Sequence, residues 1–166
     1  MNTPAQDDRE LLLRLRRHEL DFVIIGGFCG IMHGVSLVTK DLDVCCQFTP
    51  PDLRRIEAAF VDLHPFHRLA ANKLPFELTD NLCTRLKNLY LQTDLGKIDF
   101  LSEVKGIGDY GEALKRSMVC KMSYGDFRML DVDALIVAKE AVGRDHDIAA
   151  VKQLRAIKER IARPRI

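Results

Sequence analysis

The sequence lacks long hydrophobic runs and an excess of either charge. Its apolar stretches, such as Phe22 to Ile25, are far shorter than the roughly 20 residues that a membrane-spanning helix needs. Lys and Arg number 25 against 24 acidic residues, so the net charge predicts no attraction to nucleic acid or anionic membrane. Asp7, Asp8 and Glu10 lie where a signal peptide would be basic. We therefore expect a cytoplasmic protein with no membrane partner.

Several familiar motifs are also missing. The 5 cysteines form no Cys-x-x-Cys pair and leave an odd thiol, which argues against a disulfide framework and a structural zinc site. Adjacent Cys45 and Cys46 would point to opposite faces of a strand, so one of them is expected in the core. The chain contains no Walker loop and no Gly-x-Ser-x-Gly elbow, and the residues around Gly106 and Gly108 do not complete a dinucleotide fingerprint.

Hydrophobic periodicity predicts an α/β fold in one domain, residues 1–166. A small mixed sheet with flanking helices would form a core over about 20–105, and a strand pair and helices would follow over about 106–166. Helices are predicted at 9–20, at 28–33, from the prolines at 50 and 51, at 132–142 and at 148–161. Strands are predicted from 21 to the glycines at 26 and 27, at 42–48, in a hairpin at 88–101 and in a pair at 119–130, with a loop at 64–67.

Two carboxylates on the second predicted strand form the most informative pattern. Side chains alternate along a strand, so Asp41 and Asp43 point to the same side, about 6.5 to 7 Å apart. Such a pair repels unless a cation lies between, and carboxylate oxygens suit magnesium or manganese better than zinc. Taken alone, an Asp-x-Asp is more often two solvated acids at a strand edge.

Two further features favour a functional site. Gly26 and Gly27 follow a buried strand, where backbone N–H groups can approach phosphate oxygens and the next helix adds its N-terminal dipole. Asp99 lies on another predicted strand between Ile98 and Phe100 and could complete a site for two metal ions.

These residues resemble the nucleotidyltransferases related to DNA polymerase beta. That superfamily has a Gly-Gly or Gly-Ser, a short spacer, an Asp-x-Asp or Asp-x-Glu and a later strand carboxylate, and the same elements occur here in that order. The chain is most similar to small bacterial members of the superfamily. The segments that carry this likeness are Ile25 to Gly34, Thr39 to Asp43, and Leu135 to Lys139 followed by Gly143, Arg144 and Asp147.

The resemblance implies transfer of a nucleoside monophosphate from a nucleoside triphosphate, ATP among them, to a hydroxyl acceptor with release of pyrophosphate. Asp41 and Asp43 would bridge two magnesium or manganese ions, and Asp99 would complete one ion site and help to deprotonate the acceptor. Lys40, Lys139 and Arg144 are candidates to neutralise pyrophosphate, although each fits a surface or helix-end charge equally well.

The sequence leaves the acceptor and the base of the nucleotide open. An RNA 3′ end, a small molecule such as an aminoglycoside-like antibiotic, and a protein side chain all remain as acceptors. Two other functions stay in view: a catalytically degenerate module that binds a nucleotide or a partner, for example in a toxin and antitoxin pair, and a metal-dependent hydrolase. A homodimer could complete the acceptor site.

Other polar residues are better explained by structure. His33 precedes a helix-ending glycine, a position typical of capping or packing, although contact with the nucleotide stays open. His64 and His67 are expected in a loop. The segment 145–147, Asp-His-Asp, lies at a predicted helix start, where acids cap free N–H groups.

Overall fold

The computed structural model describes residues 3–165. Met1, Asn2 and Ile166, which the predicted domain includes, lie outside the described residues. The helices are α1 (Asp8–Arg17), α2 (Gly26–His33), α3 (Pro50–Phe60), α4 (Asp80–Arg85), α5 (Tyr110–Lys115), α6 (Val132–Val142) and α7 (Asp145–Ala162), with a 3-10 helix at Val61–Leu63. The strands are β1 (Phe22–Ile25), β2 (Asp41–Cys46), β3 (Phe66–His67), β4 (Asn88–Thr93), β5 (Gly96–Leu101), β6 (Glu103–Val104), β7 (Gly108–Asp109), β8 (Ser117–Met122) and β9 (Gly125–Leu130).

The fold is α/β, as predicted, and is built on a mixed sheet. Within residues 3–165 the sheet has 7 strands in the order β3-β4-β5-β2-β1-β9-β8, and β6 pairs with β7 apart from it. Strand β2 runs antiparallel to β1 and parallel to β5, and β9 runs parallel to β1. The strand that carries the Asp-x-Asp pattern therefore lies in the interior of the sheet, between β1 and β5.

One face of the sheet packs against α1 and α3. The apolar stripes of these helices are fully buried, and the ring of Phe60 on α3 lies 6.1 Å from that of Phe100 on β5. Val44 is the register partner of Phe100 and shares this face. Burial of such side chains contributes about 1.5 to 3 kcal/mol each. Because side chains alternate along β2 and β5, the neighbouring acids point to the opposite face.

Most predicted helices and strands are present, with shifted ends. The first helix ends at Arg17 because Glu19 adopts a positive φ of 57° and the Leu20 N–H donates to Leu15 O. Helix α2 begins at Gly26 and ends, as predicted, before Gly34, whose φ is 107°. The expectation of a simple loop at 64–67 was wrong in part, since Phe66–His67 forms β3 against β4. The sequence pattern did not predict α4, α5, β6 or β7.

One of the two adjacent cysteines was expected in the core, and both Cys45 and Cys46 are buried. Their side chains point to opposite faces of the sheet, but both faces are covered at the end of β2, so neither thiol is exposed. All 5 cysteines are free, as expected, and burial raises the pKa of Cys45 to about 12. Such thiols are poor nucleophiles at neutral pH. Among residues 3–165 no helix combines the length and apolar character that crossing a membrane requires.

Candidate active site

The three predicted carboxylates lie side by side on adjacent parallel strands. The register of β2 and β5 places Asp43 opposite Asp99 and Asp41 opposite Lys97. Since Asp41, Asp43 and Asp99 alternate with buried apolar residues, all three point to the same face of the sheet. Asp99 is the most deeply buried, with 8% of its side chain exposed against 31% for Asp41. The tertiary structure thus brings an acid from a separate hairpin to the Asp-x-Asp pair.

Burial and mutual repulsion disfavour three negative charges at this point. Burial, and then the charges of Asp99 and Asp41, raise the pKa of Asp43 to about 7. Burial also raises the pKa of Asp99, although hydrogen bonds and charge from Arg68 oppose this rise. The carboxyl groups of Asp43 and Asp99 lie within hydrogen-bonding reach of each other. The cluster therefore favours a bound proton or a nearby positive charge.

Arg68 supplies that charge, and sequence analysis missed it. Its Nη2 lies 2.5 Å and 2.6 Å from the two carboxylate oxygens of Asp99 and 3.9 Å from Asp41 Oδ2. The backbone N–H of Arg68 donates to Tyr90 O, which extends the pairing of β3 with β4. An arginine that follows a predicted loop carries no periodic signal. Only the pairing of β3 with β4 at the sheet edge could have indicated that Arg68 lies near the acids.

The glycine turn, formed by Gly26 and Gly27 at the start of α2, lies directly against the acids. Gly26 has a φ of 68°, and a Cβ there would lie 2.4 Å from Asp43 Oδ2. A Cβ on Gly27 would lie 2.8 Å from Thr39 Oγ1. Both positions therefore exclude a side chain. The N-terminus of α2 has no side-chain cap, since the N-cap residue is Ile25, so its N–H groups are not satisfied by a neighbouring side chain.

A group of charges at the start of α7 forms another wall of the site. Buried Asp147 lies 3.5 Å from Lys139 Nζ and 2.8 Å from Arg144 Nε. Although burial opposes the effect, the hydrogen bond from Arg144 and the charges of Arg144 and Lys139 lower the pKa of Asp147. Asp147 also caps α7 with the Arg144 backbone, so the expected capping role of this segment is present. The positive charge of Lys139, like that of Arg68, opposes the rise in the pKa of Asp43 but does not cancel it.

A cleft of about 840 Å³ joins these parts. Its walls come from α2, the loop before β2, β5, α6 and the start of α7. The predicted residues that line it are Gly26, Gly27, Lys40, Asp41, Asp43, Asp99, Lys139 and Arg144. The volume is within the range of small-molecule sites. The cleft can therefore admit a ligand that contacts the glycine turn, the acids and the basic residues together.

His33, His64 and His67 lie apart from this arrangement, whereas His146 lines the cleft. His33 Nε2 lies 2.8 Å from Leu130 O, where α2 packs on the end of β9. His64 pairs with Asp94 at the surface, and the His67 ring packs edge-on against Phe76. The contact of His33 agrees with the packing role expected for it, and His64 lies in a loop as expected, whereas His67 belongs to β3.

No family model and no curated sequence matches the chain. The fold, however, matches solved structures. The lincosamide antibiotic adenylyltransferase LnuA, solved with lincomycin bound, has a TM-score of 0.62 at 11% identity, with 92% of this chain and 98% of LnuA covered. A Thermotoga maritima protein provisionally assigned as a nucleotidyltransferase has a TM-score of 0.54 at 16% identity, with 89% of each chain covered. These likenesses show that the chain has the nucleotidyltransferase fold, as its sequence motifs predicted.

Proposed function

We propose that this protein transfers a nucleoside monophosphate from a nucleoside triphosphate to a hydroxyl acceptor and releases pyrophosphate. The observation that carries the proposal is the parallel register of β2 and β5, which sets Asp43 opposite Asp99 beside the Gly26 turn. A cluster of acids with a glycine turn next to it is suited to reactions at phosphorus, because positions and charges can be arranged around the transferring group.

The triphosphate would bind between the glycine turn and α6. Gly27 at the uncapped start of α2 offers backbone N–H groups and the positive end of the helix dipole. Lys139 and Arg144, held by Asp147 on the opposite wall, would neutralise the charge of the departing pyrophosphate. Lys40, on the loop that leads into Asp41, lines the same cleft and would add a further positive charge.

Asp99 would serve the acceptor. Once Arg68 no longer binds it, a carboxylate oxygen of Asp99 can accept the proton of the attacking hydroxyl. The acceptor oxygen then forms a bond to the α-phosphorus, while the bond from that phosphorus to the β-phosphate bridging oxygen breaks and pyrophosphate leaves with the electron pair. In-line attack requires the acceptor on the side of the α-phosphorus opposite the departing pyrophosphate, and therefore opposite Lys139.

The donor set suits a hard divalent cation. Asp41, Asp43 and Asp99 offer only carboxylate oxygens, as magnesium and manganese prefer. When bound, such an ion would neutralise phosphate charge and stabilise the attacking and leaving oxygens. Among the described residues, no three acidic, histidine or cysteine side chains are arranged to hold a metal ion as they stand. Arg68, which binds Asp99, would have to leave that carboxylate before it could bind the ion.

The residues that line the cleft do not identify the class of acceptor. LnuA, whose fold this chain matches over nearly the whole length of both, was solved with lincomycin bound. We infer that a small hydroxylated molecule is the first acceptor to test, with lincomycin as the probe. An RNA with a free 3′ hydroxyl tests the polynucleotide alternative.

Calorimetric titration tests the nucleotide site. Each of the four ribonucleoside triphosphates is titrated into the protein with and without magnesium, and into the double variant Asp41→Asn, Asp43→Asn. We expect magnesium-dependent binding that the double variant loses. Asp80→Asn is the matched control, because the Asp80 side chain is exposed and, among the described residues, forms an ion pair with Arg54 outside the cleft. Absence of binding to the folded wild type would refute a preformed triphosphate site.

Pyrophosphate release then separates the remaining functions. Release that depends on an added acceptor supports transfer, whereas release without any acceptor supports a hydrolase. The contact between Arg68 and Asp99 gives the binding-module alternative a structural basis, because it occupies the acid that would accept the proton. Nucleotide binding with no turnover for any acceptor, in the presence of excess magnesium and manganese, would favour that alternative.

A further inference from the structure

One nitrogen of Arg68 occupies a cation position at the carboxylates. Nη2 lies 2.5 Å and 2.6 Å from the two oxygens of Asp99 and 3.9 Å from Asp41 Oδ2. A single positively charged group therefore contacts two of the three acids to which the proposed function assigns a divalent cation. Asp99 thus binds this nitrogen through both of its carboxylate oxygens.

Arg68 is held at this position by the fold. Its backbone N–H donates to Tyr90 O at 2.9 Å, and its Cζ lies 5.7 Å from the centre of the Tyr90 ring. Only 21% of the side chain is exposed. Its contact with Asp99 is therefore built into the sheet edge and differs from the exposed ion pairs on the helices, whose geometry is weakly held.

The guanidinium is nevertheless incompletely satisfied. Its Nε is buried and has no hydrogen-bond partner among the described residues. A buried donor without a partner is unfavourable. The ion pair with Asp99 therefore holds the guanidinium in a position where its Nε–H group makes no hydrogen bond. A displacement that gives Nε a partner, such as water or a phosphate oxygen in the cleft, would remove that penalty. The unsatisfied Nε–H group thus favours release of the Arg68 guanidinium from Asp99.

A divalent cation and this nitrogen compete for the same oxygens. The two positive charges would also repel each other strongly at this partly buried point. A cation that binds both Asp99 and Asp41 must therefore displace Nη2. Conversely, while Arg68 remains bound to Asp99, that carboxylate is unavailable both as a cation ligand and as a proton acceptor.

We propose that Arg68 is a positioning residue that takes the place of a divalent cation in the resting protein and is displaced when the cation binds. The inference rests on the cation site of the proposed function. Arg68 lowers the affinity of the acids for the cation and keeps Asp99 buried and oriented until the ion arrives. Displaced toward the cleft, its guanidinium faces the region where an anionic substrate would bind.

Binding of Mn2+ alone tests this role without any turnover. Wild type and Arg68→Gln are titrated with Mn2+ in calorimetry, and free Mn2+ is followed by electron paramagnetic resonance. We expect Arg68→Gln to bind Mn2+ at least about tenfold more tightly, within the usual range of coupling between two competing ligands. Arg68→Lys should lie between the two. Arg54→Gln is the matched control, because Arg54 pairs with Glu57 and Asp80 away from the cleft.

The direction of the change separates competition from a merely structural role. A residue that only supports Asp99 would lower Mn2+ affinity when removed. Equal or weaker Mn2+ binding by folded Arg68→Gln therefore overturns the inference while leaving the cation site intact. Absence of Mn2+ binding in both wild type and Arg68→Gln overturns the cation site itself, and with it the inference.

Nuclear magnetic resonance gives a second test, whose result is measured on the wild type. In 15N-labelled protein, addition of Mg2+ should shift the Nε–H resonance of Arg68, identified by its loss in Arg68→Lys. Other arginine Nε–H signals, such as that of Arg14 in its surface pair with Asp62, should not change. An Arg68 signal that stays constant at saturating Mg2+ would show that the cation does not displace the guanidinium.

Discussion

At the bottom of the cleft, single residues determine both charge and space. The pKa of Asp43 is raised to about 7 by burial and by the charges of Asp99 and Asp41, so this acid holds a proton near neutral pH in the absence of cations. Gly26, in contact with Asp43, leaves room for its carboxylate only because it has no Cβ. The proposed ligand-binding residue Asp43 and the glycine that makes space for it are thus interdependent.

The raised pKa of Asp43 makes stability depend on pH. Between pH 4 and the folded-state pKa of about 7, the folded protein binds more protons at Asp43 than the unfolded chain does, so this group lowers stability as pH rises. Asp43→Asn removes the effect. In the presence of a chelator, we expect the variant to exceed the wild type in free energy of unfolding by about 4 kcal/mol at pH 8 and by about 1 kcal/mol at pH 4.5.

Urea denaturation at the two pH values measures this difference. Asp80→Asn, which changes an exposed acid, should leave the pH dependence of the wild type unchanged. An Asp43→Asn variant that is less stable than the wild type at pH 8 would contradict the prediction.

Replacement of Gly26 by alanine should weaken ligand binding more than folding. The φ of 68° disfavours alanine by about 1 kcal/mol, and the new Cβ would displace the Asp43 carboxylate. Gly143→Ala has nearly the same φ, 71°, but its Cβ would approach only a backbone oxygen at 3.5 Å. We expect similar losses of stability in both variants and loss of magnesium-dependent nucleotide binding in Gly26→Ala alone. Equal binding by the two variants, measured by calorimetry, would contradict this.

Pairs of elements create the cleft. The parallel pairing of β2 and β5 aligns the acids, and the β3–β4 pairing delivers Arg68 to them. On the other wall, α6 packs along α7, and a buried ion group joins Lys139 of α6 to Asp147 of α7. Removal of one partner from such a group leaves an uncompensated buried charge, which is strongly unfavourable.

Asp147→Asn should therefore destabilise the protein by about 3 kcal/mol at pH 7. Because the folded-state pKa of Asp147 is lowered, its contribution is present above the ordinary value of 3.8 and decreases as pH falls through the folded-state pKa. Thermal or urea unfolding measures the loss. Asp145→Asn, in the first turn of the same helix but outside the buried group, is the control and should cost less than about 1 kcal/mol. Equal losses would show that Asp147 acts only through the helix dipole.

Across the whole molecule, a nucleotide in the cleft would connect elements that are distant in sequence. It would contact α2, the acids of β2 and β5, and the α6–α7 junction at once. Binding to the folded state alone stabilises a protein by mass action, so all of these elements should become more protected together. The β8–β9 edge, at the end of the sheet beyond β1, should respond least.

Hydrogen exchange with mass spectrometry measures this pattern. With magnesium and the nucleoside triphosphate that binds best, we expect slower exchange in residues 26–33 and 139–147, and little change in residues 117–122. The Asp41→Asn, Asp43→Asn double variant should show no change anywhere. Protection limited to the β8–β9 edge would place the ligand outside the cleft.

Local chemistry alone determined much of this protein. Alternation along a strand put Asp41 and Asp43 on one side, the double glycine predicted the turn before α2, and the same alternation put Asp99 opposite the apolar face of its hairpin. Only the tertiary structure decided that β5 runs parallel to β2 with Asp43 beside Asp99, that Arg68 binds Asp99, and that Lys139 lines the same cleft. Periodicity encodes which face a side chain takes, whereas strand order and charge pairing depend on contacts between residues far apart in the chain, which no local pattern specifies.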